Sequence, residues 1–250
     1  MQLQWLEPGE LLPDPKTAWA DGDPIPGLLA AGADLTVTTL LDAYGHGIFP
    51  WFSDGQPILW WSPDPRMTLS PREFRLHKSL RKTLQHFRSS NRCEIRFDHD
   101  FETVIRACSQ AARTGQAGTW IVPAMIEAYF EFHRAGHAHS IETWIDGELA
   151  GGLYCVSLGN AVFGESMFAR RTDASKIALA ALVCFCRHHG IELIDCQQNT
   201  VHLASLGARE IARADFVARV ARERAKAPPS WRFDPVYWSE LLPANPSVPT

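Results

Sequence analysis

At 250 residues and 46% hydrophobic, the chain has enough apolar material for a buried core, in one large domain or two unequal ones. A charged fraction of 21% is that of an ordinary folded protein and argues against long disorder, and no apolar run is long enough to cross a bilayer. The net charge of -4 hides an asymmetry: residues 1–64 carry Lys16 against nine acidic side chains, whereas residues 66–96 carry nine Lys or Arg against Glu73 and Glu94.

The first 64 residues are rich in Pro, Gly and Trp, and their prolines keep helices short and favour turns and edge strands. One helix is predicted there, over 36–44, with Asp34 as its cap. These residues read as a small domain, 1–64, tied by its aromatics to a larger one, 65–250. From 71 to 87 the pattern turns helical: Leu76, Leu80, Leu84 and Phe87 form one apolar stripe. Arg75, Lys78, Arg81 and Lys82 then fall on the exposed side. A phosphate backbone responds to a local field over a screening length of about 8–10 Å, so this basic face suits an anionic partner, although a solvated surface explains it as well.

Amphipathic helices are predicted over 101–113 and 123–135, the second opened by Pro123 and closed by Gly136. Strands over 139–145 and 148–158 flank Asp146-Gly147, a hairpin signal, and Gly159-Asn160 turns the chain into a third strand over 161–168. A helix over 173–189, capped by Thr172 or Asp173 and stopped by Gly190, precedes a buried strand over 191–196. A meander, a long helix and a further strand make an α+β domain with a β-α-β crossover. The tail from Ala225, with Trp231 and Trp238, reads as a wrapping segment.

The start of the chain lacks a basic region followed by an apolar stretch, and the six cysteines include no C-x-x-C pair, so a cytoplasmic protein with reduced thiols is expected. Cys184, Cys186, His188 and His189 crowd one helix end, but only Cys184 and His188 share a face. Zinc needs three or four ligands, so no metal is expected. Ser166 lacks a G-x-S-x-G setting, which argues against a serine hydrolase.

Five stretches resemble the bacterial leucyl/phenylalanyl-tRNA–protein transferase family, in the family's order. They are Gly47-Ile48-Phe49-Pro50-Trp51-Phe52 with Leu59-Trp60-Trp61-Ser62-Pro63-Asp64-Pro65-Arg66; Gly118-Thr119-Trp120-Ile121; His137-Ala138-His139-Ser140-Ile141-Glu142; Gly164-Glu165-Ser166-Met167-Phe168; and Ile194-Asp195-Cys196-Gln197 followed by Ala204-Ser205-Leu206-Gly207-Ala208. The resemblance implies a small amino-terminal domain followed by a larger one like the N-acetyltransferase (GNAT) fold, with a mixed sheet and flanking helices. It implies transfer of Leu, Phe or Met from aminoacyl-tRNA to the α-amino group of proteins beginning with Arg or Lys, which marks them for N-end rule degradation. The ester is already activated, so the chemistry requires no cofactor, ATP or metal. A monomer with charged tRNA and protein substrates as partners, and no membrane, is the expectation.

By the same resemblance, Asp195 and Gln197 lie beside the reacting ester, and Glu165 recognises the amino group of the aminoacyl moiety. A spacing of two on a strand sends Asp195 and Gln197 to one face. Gln197 is suited to orient the attacking amine by a hydrogen bond. Asp195 is suited to polarise that amide or to stabilise an ammonium transiently, or merely positions its neighbours. Matching positions place Leu153, Val162, Met167, Leu179, Cys186 and Ile194 around an apolar cavity for the transferred side chain; ordinary core packing explains each of them singly. Trp51 and Trp120 are expected to stack on the terminal adenosine, Tyr44 to help hold the acceptor, and Arg75, Lys78, Arg81 and Lys82 to meet the tRNA acceptor stem.

Two other functions fit parts of this pattern. A coenzyme A acetyltransferase would share the fold, but residues 169–175 lack the glycines that let backbone amides approach a pyrophosphate. A non-catalytic tRNA-binding module would explain the basic helix and the tryptophans, but not Glu165, Asp195 and Gln197 on one sheet.

Overall fold

A computed structural model describes residues 3–111 and 121–242. The chain opens with β1 (Gln4–Leu6), β2 (Leu28–Gly32), α1 (Val37–Gly45), β3 (Phe49–Pro50) and β4 (Leu59–Trp61), whose strands form a four-stranded sheet ordered β1-β2-β4-β3. Prolines and tight turns keep these strands to five residues or fewer. α1 begins one residue later than expected, with Thr36 rather than Asp34 as the cap. The Asp34 carboxylate instead accepts hydrogen bonds from the Thr36 N–H and from both the Thr36 and Thr39 hydroxyls. It braces the turn that precedes the helix.

The larger sheet starts with β5 (Arg66–Leu69). After a 3-10 turn at Pro71–Glu73 come α2 (Lys78–Ser89), β6 (Cys93–Phe97), α3 (Phe101–Gln110), α4 (Pro123–Arg134), β7 (Ala138–Ile145), β8 (Glu148–Leu158), β9 (Ala161–Ala169) and α5 (Ala174–His188). Then follow β10 (Ile194–Gln197), α6 (Val201–Ser205), β11 (Arg209–Ile211) and α7 (Arg213–Glu223). The seven strands run β11-β5-β10-β9-β8-β7-β6. Only the β9–β10 pair is parallel, and α5 makes the crossover between them, as the element order implied.

β8 explains why both faces of this sheet are covered. Tyr154, Val156 and Leu158 join the core on the α1, α3 and α4 side, while Leu153 and Cys155 join the core on the α2 and α5 side. Period-two alternation with apolar residues in both registers needs helices on both faces. α5 is buried from Ala174 to Cys186 almost without a break, the mark of a helix covered all round. It packs on β7, β8 and β9 and is itself covered by a 3-10 segment, Pro235–Glu240, of the wrapping tail. Trp231 stacks on His139 in that tail, with ring centroids 4.0 Å apart. At Gly151 a Cβ would lie 2.6 Å from the Ala174 Cβ, so glycine lets the start of α5 sit directly on the strand.

Two boundaries differ from the sequence reading. The 71–87 helix is broken: Phe74 is buried and the Arg75 N–H donates to the Leu206 carbonyl at 2.8 Å, so a tertiary contact pulls this stretch out of helical geometry until residue 78. Arg75 therefore precedes the basic helix. Asp173 begins α5 in a left-handed conformation (φ 63) with no capping bond from its side chain, which pairs with Lys176 Nζ instead.

Candidate active site

Neighbouring strands β9 and β10 stay paired only through Val162–Ile194 and Phe163–Asp195. Beyond that point each strand bulges. On β9 the register with β8 skips Glu165, and on β10 the register with β5 skips Cys196. A bulge adds an unpaired residue and re-aims the side chains around it. Gln197, just past the second bulge, has φ 60. The strands part, and a cavity of about 340 Å³ opens between them.

Its apolar lining comes mainly from the α5-side core: Leu69, Leu153, Leu179, Leu182 and Ile194, with Met167 and Leu203. Glu165, Asp195 and Gln197 line it too, so the three expected polar residues do meet at one opening. Four of the six expected apolar residues, Leu153, Met167, Leu179 and Ile194, line the cavity. Val162 and Cys186 do not: they lie buried in the same apolar core, behind the lining.

The polar side of the site is anchored in the opposite core. Arg66 is 0% exposed and Asp195 1%. Arg66 Nε and Nη2 donate to the two Asp195 carboxylate oxygens at 2.8 and 2.7 Å, and Nη1 donates to the Gly47 carbonyl at 3.1 Å. The guanidinium also lies over the rings of Phe49 and Phe216. Asp195 Oδ1 accepts a further bond from the Gln197 N–H at 2.9 Å. Both Asp195 oxygens are thus engaged by protein donors. The bulge, rather than plain strand alternation, sets where Gln197 points.

Gln197 Nε2 donates to Glu165 Oε1 at 2.9 Å, and the Tyr44 hydroxyl donates to the same oxygen at 2.8 Å. The Tyr129 hydroxyl bonds in turn to that of Tyr44. Burial pushes the Glu165 carboxyl up to about 8, against the lowering effect of the Tyr44 hydrogen bond. Tyr44 and Tyr129 are raised well above their usual range, chiefly by burial, and keep their protons. A partly shielded carboxyl with two fixed donors on one oxygen suits an ammonium partner, which would draw it into its ionised form.

Tyr44 requires a correction. Its side chain is fully buried, so it cannot hold an acceptor directly; its hydroxyl acts on the site through Glu165. Trp51 is partly exposed, outside the cavity lining, and packs against Trp61 at 5.4 Å between centroids. Trp120 lies outside the described residues. Lys78, Arg81 and Lys82 are exposed on α2, and Arg75 is exposed ahead of it. Arg81 Nη1 also donates to the Leu241 carbonyl, which ties it to the tail.

The sequence reading missed Arg66, Tyr129, Leu69, Leu182, Thr200, His202 and Leu203, all in or beside this site. Arg66 carried a signal: it opens the wholly buried strand Arg66–Leu69, where a cation requires a partner. Tyr129 sits in the apolar stripe of α4 and looks like plain core. Thr200, His202 and Leu203 belong to α6 or its cap, a helix of five residues with no periodicity to find. No cluster of three metal-ligating side chains occurs among the described residues.

Residues 68–221 match the family model described as leucyl/phenylalanyl-tRNA protein transferase, and residues 33–64 match that of its N-terminal domain. A leucyl/phenylalanyl-tRNA–protein transferase of Polaromonas sp. strain JS666 is 63% identical over 248 residues, covering 99% of this chain and 97% of the relative. Those of Albidiferax ferrireducens and Burkholderia pseudomallei are each 60% identical, covering 96% and 93% of this chain and 94% and 91% of the relatives. Among solved structures, a GCN5-related N-acetyltransferase from Kribbella flavida aligns with 72% of this chain and 62% of its own, at 11% identity and a TM-score of 0.35. A score that low carries no weight here.

Proposed function

The chain belongs to the leucyl/phenylalanyl-tRNA–protein transferase family, and from that premise we propose that the cavity between β9 and β10 receives the side chain of the amino acid carried by tRNA. The protein is an aminoacyltransferase that moves an amino acid from tRNA to the amino terminus of another protein. The donor is Leu-, Phe- or Met-tRNA, and the acceptor is a protein beginning with Arg or Lys, which is thereby marked for degradation. The reaction takes place in the cytoplasm, where charged tRNA is found.

One observation carries this reading: an apolar cavity of about 340 Å³ whose opening holds a carboxyl and a carboxamide already bonded to each other. Glu165 Oε1 accepts both internal donors, which leaves Oε2 for the ammonium of the aminoacyl group. Gln197 gives one Nε2 N–H to Glu165, and its carbonyl oxygen is the group that accepts from the attacking amine and aims the nitrogen lone pair at the ester carbon. Arg66 and Asp195 hold Gln197 in place through its backbone N–H.

The chemistry balances without further reactants. The acceptor ammonium loses one proton to solvent, and the free amine attacks the ester carbonyl to form the new C–N bond. Collapse breaks the bond to the ribose oxygen, which takes the second nitrogen proton and leaves as a hydroxyl. Trp51 and Trp120 stack on the terminal adenosine, and Lys78, Arg81 and Lys82 with Arg75 meet the acceptor stem. The test uses labelled Phe-tRNA with a peptide beginning with Arg, and labelled acetyl-CoA with the same peptide in parallel. Label on the peptide from Phe-tRNA alone supports transfer; binding of Phe-tRNA without transfer, or acetylation, overturns it.

A further inference from the structure

The cavity has a second, cationic edge that the family resemblance did not supply. Leu179 and Leu182 of α5 line the cavity, and Lys176 precedes Leu179 by three residues. That spacing places Lys176 on the same helical stripe, one turn nearer the helix start. His202 of α6 lines the cavity as well. Burial, and then the Lys176 charge, hold the His202 imidazole below its usual range. Lys176 Nζ sits 2.8 Å from Asp173 Oδ1, and Asp173 Oδ2 accepts from Thr83 of α2 at 3.5 Å. The segment before α2 is tied to α6 in the same way: His77 Nε2 bonds to the Ser205 carbonyl at 3.0 Å, and the Arg75 N–H donates to the Leu206 carbonyl at 2.8 Å. Thr83 of α2 and Lys176 of α5 are therefore linked through Asp173, and the segment before α2 is linked to α6.

We propose that Lys176 and His202 bind the phosphodiester immediately 5′ of the esterified ribose of the tRNA donor, and so set how deeply the aminoacyl group enters the cavity. This rests on the transferase reading above. The ester and that phosphate belong to one nucleoside, so a cation about one helical turn, roughly 5.4 Å, above the residues that take the side chain stands at the phosphate's level. Lys176 has three N–H donors and gives one to Asp173; the others are available to phosphate oxygens. The imidazole of His202 adds an N–H donor. A phosphate contact positions its ligand without reading sequence, which is what a transferase that selects by amino acid requires.

The test compares two small donors with an Arg-initiated peptide as acceptor: phenylalanine esterified to adenosine, and the same ester of adenosine 5′-phosphate. For the wild type, the 5′ phosphate raises kcat/KM, mainly through KM. In K176M the ratio of kcat/KM between phosphorylated and plain donor falls by about tenfold or more, the scale of a hydrogen bond to a charged group. K176R restores most of the ratio, and H202N lowers it by a smaller factor. A ratio in K176M equal to that of the wild type overturns the phosphate site while leaving transfer intact. Transfer from neither donor by the wild type overturns the transferase reading and the phosphate site with it.

Discussion

Arg66 and Asp195 are almost wholly withdrawn from water, and each satisfies the other with two short bonds. Removing one partner strands the other charge, at a cost of about 3–5 kcal/mol, whereas replacing both with apolar groups of similar size is far milder. R66M is therefore expected to lower stability by several kcal/mol in urea titration, and R66M/D195L to recover most of it. Transfer activity should not return in the double variant, because the Gln197 N–H then has no acceptor; recovered activity would mean the pair serves folding alone. Glu165 gives a pH prediction. Its carboxyl stands near 8 in the folded protein against an ordinary value of 4.5, so the folded state holds the proton more tightly. That contribution to stability is fully present below about 4.5 and is lost as pH rises toward 8. The Tm of the wild type should fall across this window relative to that of E165Q, as read by circular dichroism; parallel curves would show that Glu165 ionises as an ordinary carboxyl.

At the scale of elements, two adjacent bulges do what regular strands cannot. Regular pairing of β9 and β10 to their ends would close the gap between Glu165 and Gln197 and leave no cavity. The basic helix shows how the fold refines a charge pattern. Because Arg81 also holds the tail at Leu241, the cleaner probe of tRNA contact on α2 is K78E/K82E, two exposed residues. This variant is expected to weaken binding of Phe-tRNA, measured by filter binding across a salt series. The dependence of log Kd on log salt should flatten by about 0.7–0.9 for each phosphate that the helix no longer neutralises. Equal binding at low salt would remove α2 from the interface.

Across the whole molecule, the two sheets divide between residues 61 and 66, yet one apolar core runs through both. Leu6, Ala30 and Trp60 from the first sheet belong to the same cluster as Tyr129, Phe132 and Phe163. Tyr44, on α1, completes the hydrogen bonding of Glu165 on β9. We propose residues 1–64 and 65–250 as domains of sequence that are not independent units of folding. Calorimetry is expected to give a single transition with equal calorimetric and van't Hoff enthalpies; two separable transitions would refute the shared core. The same packing predicts that the chain from residue 65 onward, expressed alone, lacks transfer activity.

The amino-acid sequence by itself determined the helices of strong period, the Asp146-Gly147 hairpin and the β-α-β crossover, because these are written in local spacing, whereas the polar trio was named through the family resemblance. It also identified four of the cavity's apolar residues through the family pattern. Other features were decided only by tertiary structure. Arg66 and Tyr129 reach the site from a strand and a helix distant in the chain; Tyr129 looks locally like plain core, and Arg66 is marked only as a cation in a buried strand whose partner the fold supplies. The bulges at Glu165 and Cys196 arise where three strands compete for register, so no single segment encodes them. Tyr44 had the residue type of a surface contact and the burial of a core side chain, and burial depends on what packs around a residue rather than on its own chemistry.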